Sequence, residues 1–486
     1  MRRMTTTGVE NRLLIFSASG KGKELKAGLI VGMLLIAAVR SLTGAQPGGD
    51  GKNQPVNVLV LRGANIFDAE RGEMLAGQTI IIRGERIEQA GPEPALTRKI
   101  PARARVIDAR GKFIIPGLID AHVHLVHQLN SAHVTGDEVL PMFLAAGVTA
   151  IRDVGDIVPP QKMIARHAEA HPESSPRVFM CSPLIDGAAP FHRDIGWALT
   201  DPKEVPGFVD DMAAWGVTTL KIYVGTERTV GRQVIQEGHK RGLMVTGHLG
   251  LYSAQDAVAD GIDSLEHIWS VFDYIIPDGP RPTGYRSTMD LTTPKAQNLI
   301  TNLAQRHVRV DPTLTIFRNA ILLTDMESVN QNPDNTHAPA RLQKRWVSHR
   351  LSAGLKPETF DLRRREFLKY QELTGILYRA GVTILAGTDS PEPLVPPGFS
   401  LLQELELLVE SGLPPSAALQ AATINNAGVL KQESQLGSIS AGKFADLVIL
   451  SANPLTDIRN IRRIEKVIRG GIICQPEQLL KLVPEQ

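Results

Sequence analysis

The sequence predicts an α/β protein: a (β/α)8 TIM barrel carrying a small β-domain assembled from both chain ends. Three observations point there. Eight short apolar runs recur between residues 116 and 431, each followed by a loop and a helical stretch. Near-continuous apolar strands alternating with helices form parallel sheets covered on both faces, and eight such units close into a barrel. The flanking stretches, 56–115 and 432–475, alternate β-rich runs with turns and have no helical period. No G-x-G-x-x-G turn follows the first barrel strand, as an open dinucleotide-binding sheet would require.

In chain order, Lys21, Lys23 and Lys26 precede Ala27–Val39, thirteen residues without a charge, and Thr43 and Ala45 place small residues before a cut after Ala45. Charged, apolar and small regions in this order mark a secretory signal. A membrane span needs about 20 residues. Residues 1–45 are therefore expected to be a signal peptide, giving a periplasmic or secreted protein with no stable membrane insertion after cleavage. An uncleaved anchor is the alternative. Residues 46–55 (QPGGDGKNQP) read as a linker. Strand candidates in the first β part are Val56–Leu61, Thr79–Arg83, Arg86–Ala90 and Val106–Asp108.

The barrel runs are Gly117–Leu125, Gly147–Val154, Pro176–Ile185, Gly216–Val224, Gly242–Leu249, Gly261–Trp269, Val308–Ile316 and Gly381–Gly387. Ser400–Ser411 and Pro414–Val429 read as amphipathic helices on the barrel, and 270–300 and 324–360 as long connections. Gly437–Ile439, Asp446–Leu450 and Lys466–Arg469 return to strand pattern, and 476–486 form a tail. Apolar residues are 43% and charged residues 21% of the 486, which excludes a disordered chain and a multispan membrane protein. A net charge of +2 leaves nothing to neutralise a nucleic-acid backbone. Cys181 and Cys474 cannot staple the fold and read as free core thiols.

Barrel chemistry sits at the C-terminal strand ends, so polar residues interrupting apolar runs there carry the functional signal. In Asp120-Ala121-His122-Val123-His124, strand period places both imidazoles on one face, with Asp120 able to orient a ring. Alone, this pattern also suits packed or exposed histidines. Lys221 lies between Leu220 and Ile222. It is either a lysine reaching out of the strand mouth or one whose lowered pKa lets it capture carbon dioxide as a bridging carbamate. His248, His267 and Asp389 each close a further run; singly they suit core hydrogen bonding or helix capping. Together, four imidazoles, one lysine and one aspartate converge on one mouth, which points to a divalent-cation site. The other nine of the 13 histidines share no such placement.

The chain resembles the amidohydrolase superfamily through Pro116-Gly117-Leu118-Ile119-Asp120-Ala121-His122-Val123-His124, Lys221, His248, His267, Gly387-Thr388-Asp389 and the stretch Gly437–Leu450. Gly147–Gly155 and Asp263–His267 are most similar to its imidazolonepropionase-like branch, which includes Xaa-Pro and Xaa-Arg dipeptidases. The resemblance implies a barrel with a β-sandwich and two divalent ions, commonly Zn2+. His122, His124 and Asp389 would hold one, His248 and His267 the other, with carboxylated Lys221 between them. Imidazolonepropionases carry one metal and no such lysine, so Lys221 favours the dipeptidase side. Asp186–His192 differs from the Gly-Gly-His-Gly stretch of many of those dipeptidases, which leaves the substrate open.

The expected reaction is hydrolysis of an amide C–N bond, in a dipeptide or N-acyl amino acid, by a metal-bridging hydroxide with Asp389 as proton shuttle. Tyr223 shares the inward face with Lys221 and either donates to the oxyanion or packs as an aromatic. Arg152 pairs either with a substrate carboxylate or with Asp153 or Asp156, and His192 is a further candidate substrate contact. Lactonase, cyclic amidase or phosphotriesterase-like hydrolysis on the same ions is the alternative. A non-catalytic binding barrel is remote, because none of the six positions is lost. The expected partner is a small-molecule substrate, and homo-oligomerisation is left open.

Overall fold

The computed structural model describes residues 58–276, 284–323, 332–352 and 359–484. The expected signal peptide and linker lie outside the described residues. Among the described residues, no helix is long and apolar enough to cross a membrane.

The chain opens with β1 (Val58–Asp68), β2 (Glu73–Arg83), β3 (Arg86–Pro92), β4 (Arg105–Asp108) and β5 (Phe113–Pro116). The barrel follows: β6 (Leu118–Val123), β7 (Val148–Asp153), β8 (Arg177–Asp186) with a short β9 (Gly196–Ala198) on its end, β10 (Thr219–Ile222), β11 (Met244–Gly247), β12 (Ser264–Glu266) and β13 (Arg309–Asp311). The tail returns as β14 (Leu447–Leu450), β15 (Ile464–Arg469) and β16 (Ile472–Cys474).

Both chain ends build one sheet in the order β16-β15-β14-β5-β1-β2-β3, with β4 also on β1. The hinge of this sheet is a register shift in β1 between Leu61 and Ala64, where Gly63 has φ +75°. Before the shift β1 pairs with β4, and after it with β5. A bulge of this kind turns a strand from one neighbour to another. The sheet wraps a core containing Leu61, Ile80, Ile114, Leu447 and Ile468, drawn from both termini. The run Gly437–Ile439 is not a strand. Gly437 has φ +83°, and a Cβ there would meet the Ile424 Cα and Thr423 O at 3.0 Å, so the segment packs against a helix end. Strands β5 and β16 were not expected.

Seven of the eight barrel runs are strands, paired in parallel from β6 round to β13. The eighth is an irregular segment that still closes the ring. Thr383 and Leu385 exchange backbone hydrogen bonds with Val310 on β13, and Ala386 accepts from Ala121 on β6 at 3.1 Å. Regular pairing stops because Asp389 has φ +63°, and both Thr388 and Asp389 turn their N–H groups onto the His122 carbonyl. The helical layer alternates with the strands. The helix Arg228–Lys240, for example, buries Val230, Val234, Ile235 and Gly238, one stripe at helical spacing.

The stretch 270–300, expected as a connection, holds the end of a helix (His267–Ile275) and another (Pro294–Gln305), and 324–360 holds Ala340–Ser352. Phe399–Glu410 matches the first expected amphipathic helix. The second is split into Pro415–Gln420, a π-turn at Ala421–Asn425, and Asn426–Val429. Beyond the π-turn, the Asn426 Nδ2 donates to Ile119 O (2.7 Å) and Ala386 O (2.8 Å), and its Oδ1 accepts from Ala386 N (3.3 Å). Asn426 thus staples β6 to the closing segment. Asn426→Ala is expected to lower stability by about 1–3 kcal/mol, because buried carbonyls lose their donor. A denaturant midpoint unchanged from the parent would show the staple to be idle.

Candidate metal centre

Every residue of β6 is buried, because the barrel fills one face of the strand and helices cover the other. His122 is the last residue but one of this strand, with His124 just beyond it. Their Nε2 atoms lie 3.5 and 3.2 Å from the same Asp389 Oδ1. His267, with φ +59° at the junction of β12 and its helix, has its ring centroid 4.6 Å from that of His122 and 4.6 Å from that of His248. Lys221 on β10 reaches the same cavity, which holds about 530 Å3 of space open to solvent. All six expected ligands therefore line one chamber, with Tyr223 and His192.

The electrostatics suit a cation. The Glu266 Oε2 accepts a hydrogen bond from His122 Nδ1 at 2.7 Å, which leaves Nε2 as the lone-pair nitrogen. Thr313 Oγ1 contacts His267 Nδ1 at 2.8 Å. Burial, helped by the charge of Lys221, pushes His122 down to about 4 and His248 down to about 3, so both rings stay neutral near pH 7. Burial also lowers Lys221, against the attraction of Glu266. Burial alone would raise Asp389, but His267, His122 and His124 outweigh it and hold the carboxylate well below its ordinary range. The buried His122 Nε2, His124 Nδ1 and Lys221 Nζ have no hydrogen-bond partner among the described residues. Buried polar atoms are seldom left so. Together with Asp389 they offer nitrogen and anionic oxygen donors of the kind borderline divalent cations take, and the His122–His124–Asp389 group has its ligand atoms within 4.8 Å of one another.

The profile described as "Amidohydrolase family" matches residues 113–474. The chain belongs to the amidohydrolase family. An imidazolonepropionase of Symbiobacterium thermophilum is 23% identical over 420 residues, covering 82% of this chain and 92% of that protein. An adenine deaminase of Rubrobacter xylanophilus is 21% identical over 432 residues, covering 86% of this chain but only 57% of that relative. A solved structure of a candidate prolidase from Bifidobacterium longum has a TM-score of 0.65 and 26% identity, covering 88% of this chain and 98% of the other. The fold and family are those of enzymes acting on carbon–nitrogen bonds.

Several expectations for this amidohydrolase are corrected. Asp120 does not orient a histidine ring; its oxygens accept from the His122 backbone N–H (3.1 Å) and the Thr388 hydroxyl (2.8 Å). Glu266 does that work instead. Arg152 does not reach the cavity. It is fully buried, donates to Glu266 Oε1 at 2.6 Å and to Ala121 O at 2.6 Å, and pairs with neither Asp153 nor Asp156. Its guanidinium thus compensates a carboxylate under the site rather than a substrate. His127, one of the nine histidines set aside, also lines the chamber beside His192. The sequence signal for Glu266 was its own interruption of an apolar strand next to His267.

Glu266 also accepts from the Thr246 hydroxyl, so one carboxylate joins β7, β11 and β12 to the ring of His122. Glu266→Gln is expected to weaken metal affinity about 10- to 100-fold, as loss of a partner behind a ligand does. It is also expected to cost about 3–5 kcal/mol of stability by leaving Arg152 uncompensated. Metal titration with unchanged affinity would show that the Glu266–His122 bond does not support the centre.

Proposed function

We propose that this amidohydrolase is a metal-dependent hydrolase of an amide C–N bond, in a dipeptide or N-acyl amino acid. The observation that carries the reading is the convergence of His122, His124, Lys221, His248, His267 and Asp389 on one chamber. The whole-length likeness to a candidate prolidase supports the dipeptide side. Leu184, Ile195, Trp269, Ile316 and Phe317 give that chamber apolar walls, suited to a substrate with an apolar side chain.

His122, His124 and Asp389 would hold one divalent ion, such as Zn2+, and His248 and His267 another. Lys221 in its neutral form could add to carbon dioxide, forming an N–C bond and releasing one proton, and the anionic carbamate would offer the ions a further oxygen ligand. Bound divalent ions supply Lewis-acid polarisation of the carbonyl and lower the pKa of water. Asp389, ionised near neutral pH, takes up the proton of the attacking water on a carboxylate oxygen and returns it to the leaving nitrogen. Burial, with Asp389 nearby, raises the Tyr223 phenol, so it stays protonated and donates its O–H to the developing oxyanion. The apolar walls keep bulk water from the reacting carbonyl.

A lactone or cyclic amide is the second reading, favoured by the imidazolonepropionase likeness. A panel of dipeptides, N-acyl amino acids, lactones and cyclic amides separates the two. Asp389→Asn is expected to lower kcat about 100- to 10,000-fold while the protein stays folded. Lys221→Ala is expected to reduce bound metal per chain. Full turnover in Asp389→Asn would remove the proton-transfer role, and unchanged metal content in Lys221→Ala would remove the carbamate.

A further inference from the structure

A second group of potential ligands stands at the mouth of the chamber. His127 follows β6, and its place is fixed because the buried Asp156 accepts the backbone N–H groups of Val126 (2.9 Å) and His127 (3.0 Å). His192 lies on the loop between β8 and β9. That loop is anchored by Asp186, which accepts from Gly187 N (2.9 Å), Phe191 N (2.8 Å) and, across the loop, Gly225 N (2.7 Å). Gly196 N closes it onto His192 O at 2.7 Å, and a Cβ at Gly196 would meet that carbonyl at 2.5 Å. The two imidazoles therefore meet edge to face from anchored backbones, with ring centroids 4.9 Å apart at 74°. Asp194 completes the group, its Oδ2 2.7 Å from His127 Nδ1.

We propose that His127, His192 and Asp194 form an accessory site for a divalent, imidazole-preferring cation such as Zn2+, separate from the centre built on His122 and Asp389. One ligand atom from each residue lies within 4.8 Å of the other two. Zinc–nitrogen and zinc–oxygen bonds are about 2.0–2.2 Å, so bound ligand atoms stand somewhat over 3 Å apart. Small side-chain movements reach that spacing. A cation bound at His127 Nδ1 takes the place of the contact with Asp194 Oδ2, the ring then carrying its proton on Nε2. An anionic ligand fits less well, because the Asp194 carboxylate faces the same point. Three protein ligands leave a fourth position open, as in exchangeable rather than closed zinc sites. The site shares the chamber wall with the centre, since the His127 and His124 rings are 6.4 Å apart. Asp194 is 59% exposed and His124 only 11%, so the accessory cation exchanges with solvent more readily than one held in the floor.

Protein carrying its tightly held metal is dialysed against metal-free buffer at neutral pH and then titrated with Zn2+, with metal per chain counted at each step. The parent is expected to take up one equivalent beyond its tight complement. His192→Ala and Asp194→Asn are each expected to weaken that equivalent about 100-fold or more and to leave the tight complement intact. The near-isosteric Asp194→Asn and the retained tight complement together report an intact barrel. The proposal is overturned if the parent takes up no further equivalent, if uptake persists unchanged in both variants, or if the variants shed the tight complement as well. The count is made against the tight complement, so it stands apart from whether the chain hydrolyses amides.

Discussion

One buried carboxylate organises the floor of the barrel. Glu266 is fully buried and accepts from Arg152, Thr246 and His122, so it ties β12 to β11 and to the distant β7 and sets the His122 tautomer at once. Burial would raise it, but Arg152, Lys221 and His122 outweigh that and keep it ionised. Its neighbours fare differently. Burial pushes Asp120 up to about 8, and it raises Asp311 and Asp153 well above the ordinary range, the charges of Glu266 and Asp156 adding to the last two. The floor therefore keeps a full negative charge where a guanidinium stands beside it and lets the other acids hold protons. A charge without a partner would be expensive at this depth.

Asp389 stands against His122, His124 and His267, whose contacts hold its carboxylate low. Its position depends on how the ring closes. A regular eighth strand would alternate its side chains between core and helices. Instead the chain turns at Thr388 and Asp389, the Thr388 hydroxyl binds Asp120, and the φ of +63° brings the Asp389 carboxylate over the histidines. Aspartate tolerates that conformation better than most residues with a Cβ. At Gly387 a side chain would collide with Asp311 and His122. Asn426 holds the other side of the closing segment.

The barrel and its six candidate ligands were legible because each lies on, or one or two residues beyond, an apolar run that periodicity marks. The partners of those ligands were not. Strand period puts Asp120 on the face of His122, yet its carboxylate turns to the His122 backbone N–H and to Thr388. The ring takes Glu266 from β12, and which side chain meets which across a barrel depends on strand tilt and register that no local pattern encodes. Arg152 was misread for the same reason, since its partner is a distant strand end. The eighth strand was overcounted because Gly381–Gly387 is apolar enough for a strand. What ends it is the need of Thr388 and Asp389 to hydrogen-bond one carbonyl.

The loops add what the strands cannot. Exposure rises steadily from floor to rim: the Glu266 side chain is 0% exposed, His122 1%, His124 11%, His127 15% and Asp194 59%. Groups at the bottom are fixed by a sheet that cannot move without opening the barrel, so they suit a permanent charge. Groups at the rim sit on loops whose anchors, Asp156 and Asp186, are themselves buried. The two sides of the rim also differ in kind. Trp269, Ile316 and Phe317 come from the segments after β12 and β13, and the Trp269 and Phe317 rings lie 4.9 Å apart. Across from them, His192 and Tyr223 extend from the ends of β8 and β10 with ring centroids 5.7 Å apart. An amphipathic molecule entering this chamber meets an aromatic wall on one side and hydrogen-bonding rings on the other. The order in which the barrel strands deliver their loops thus gives the two sides of the chamber different chemistry.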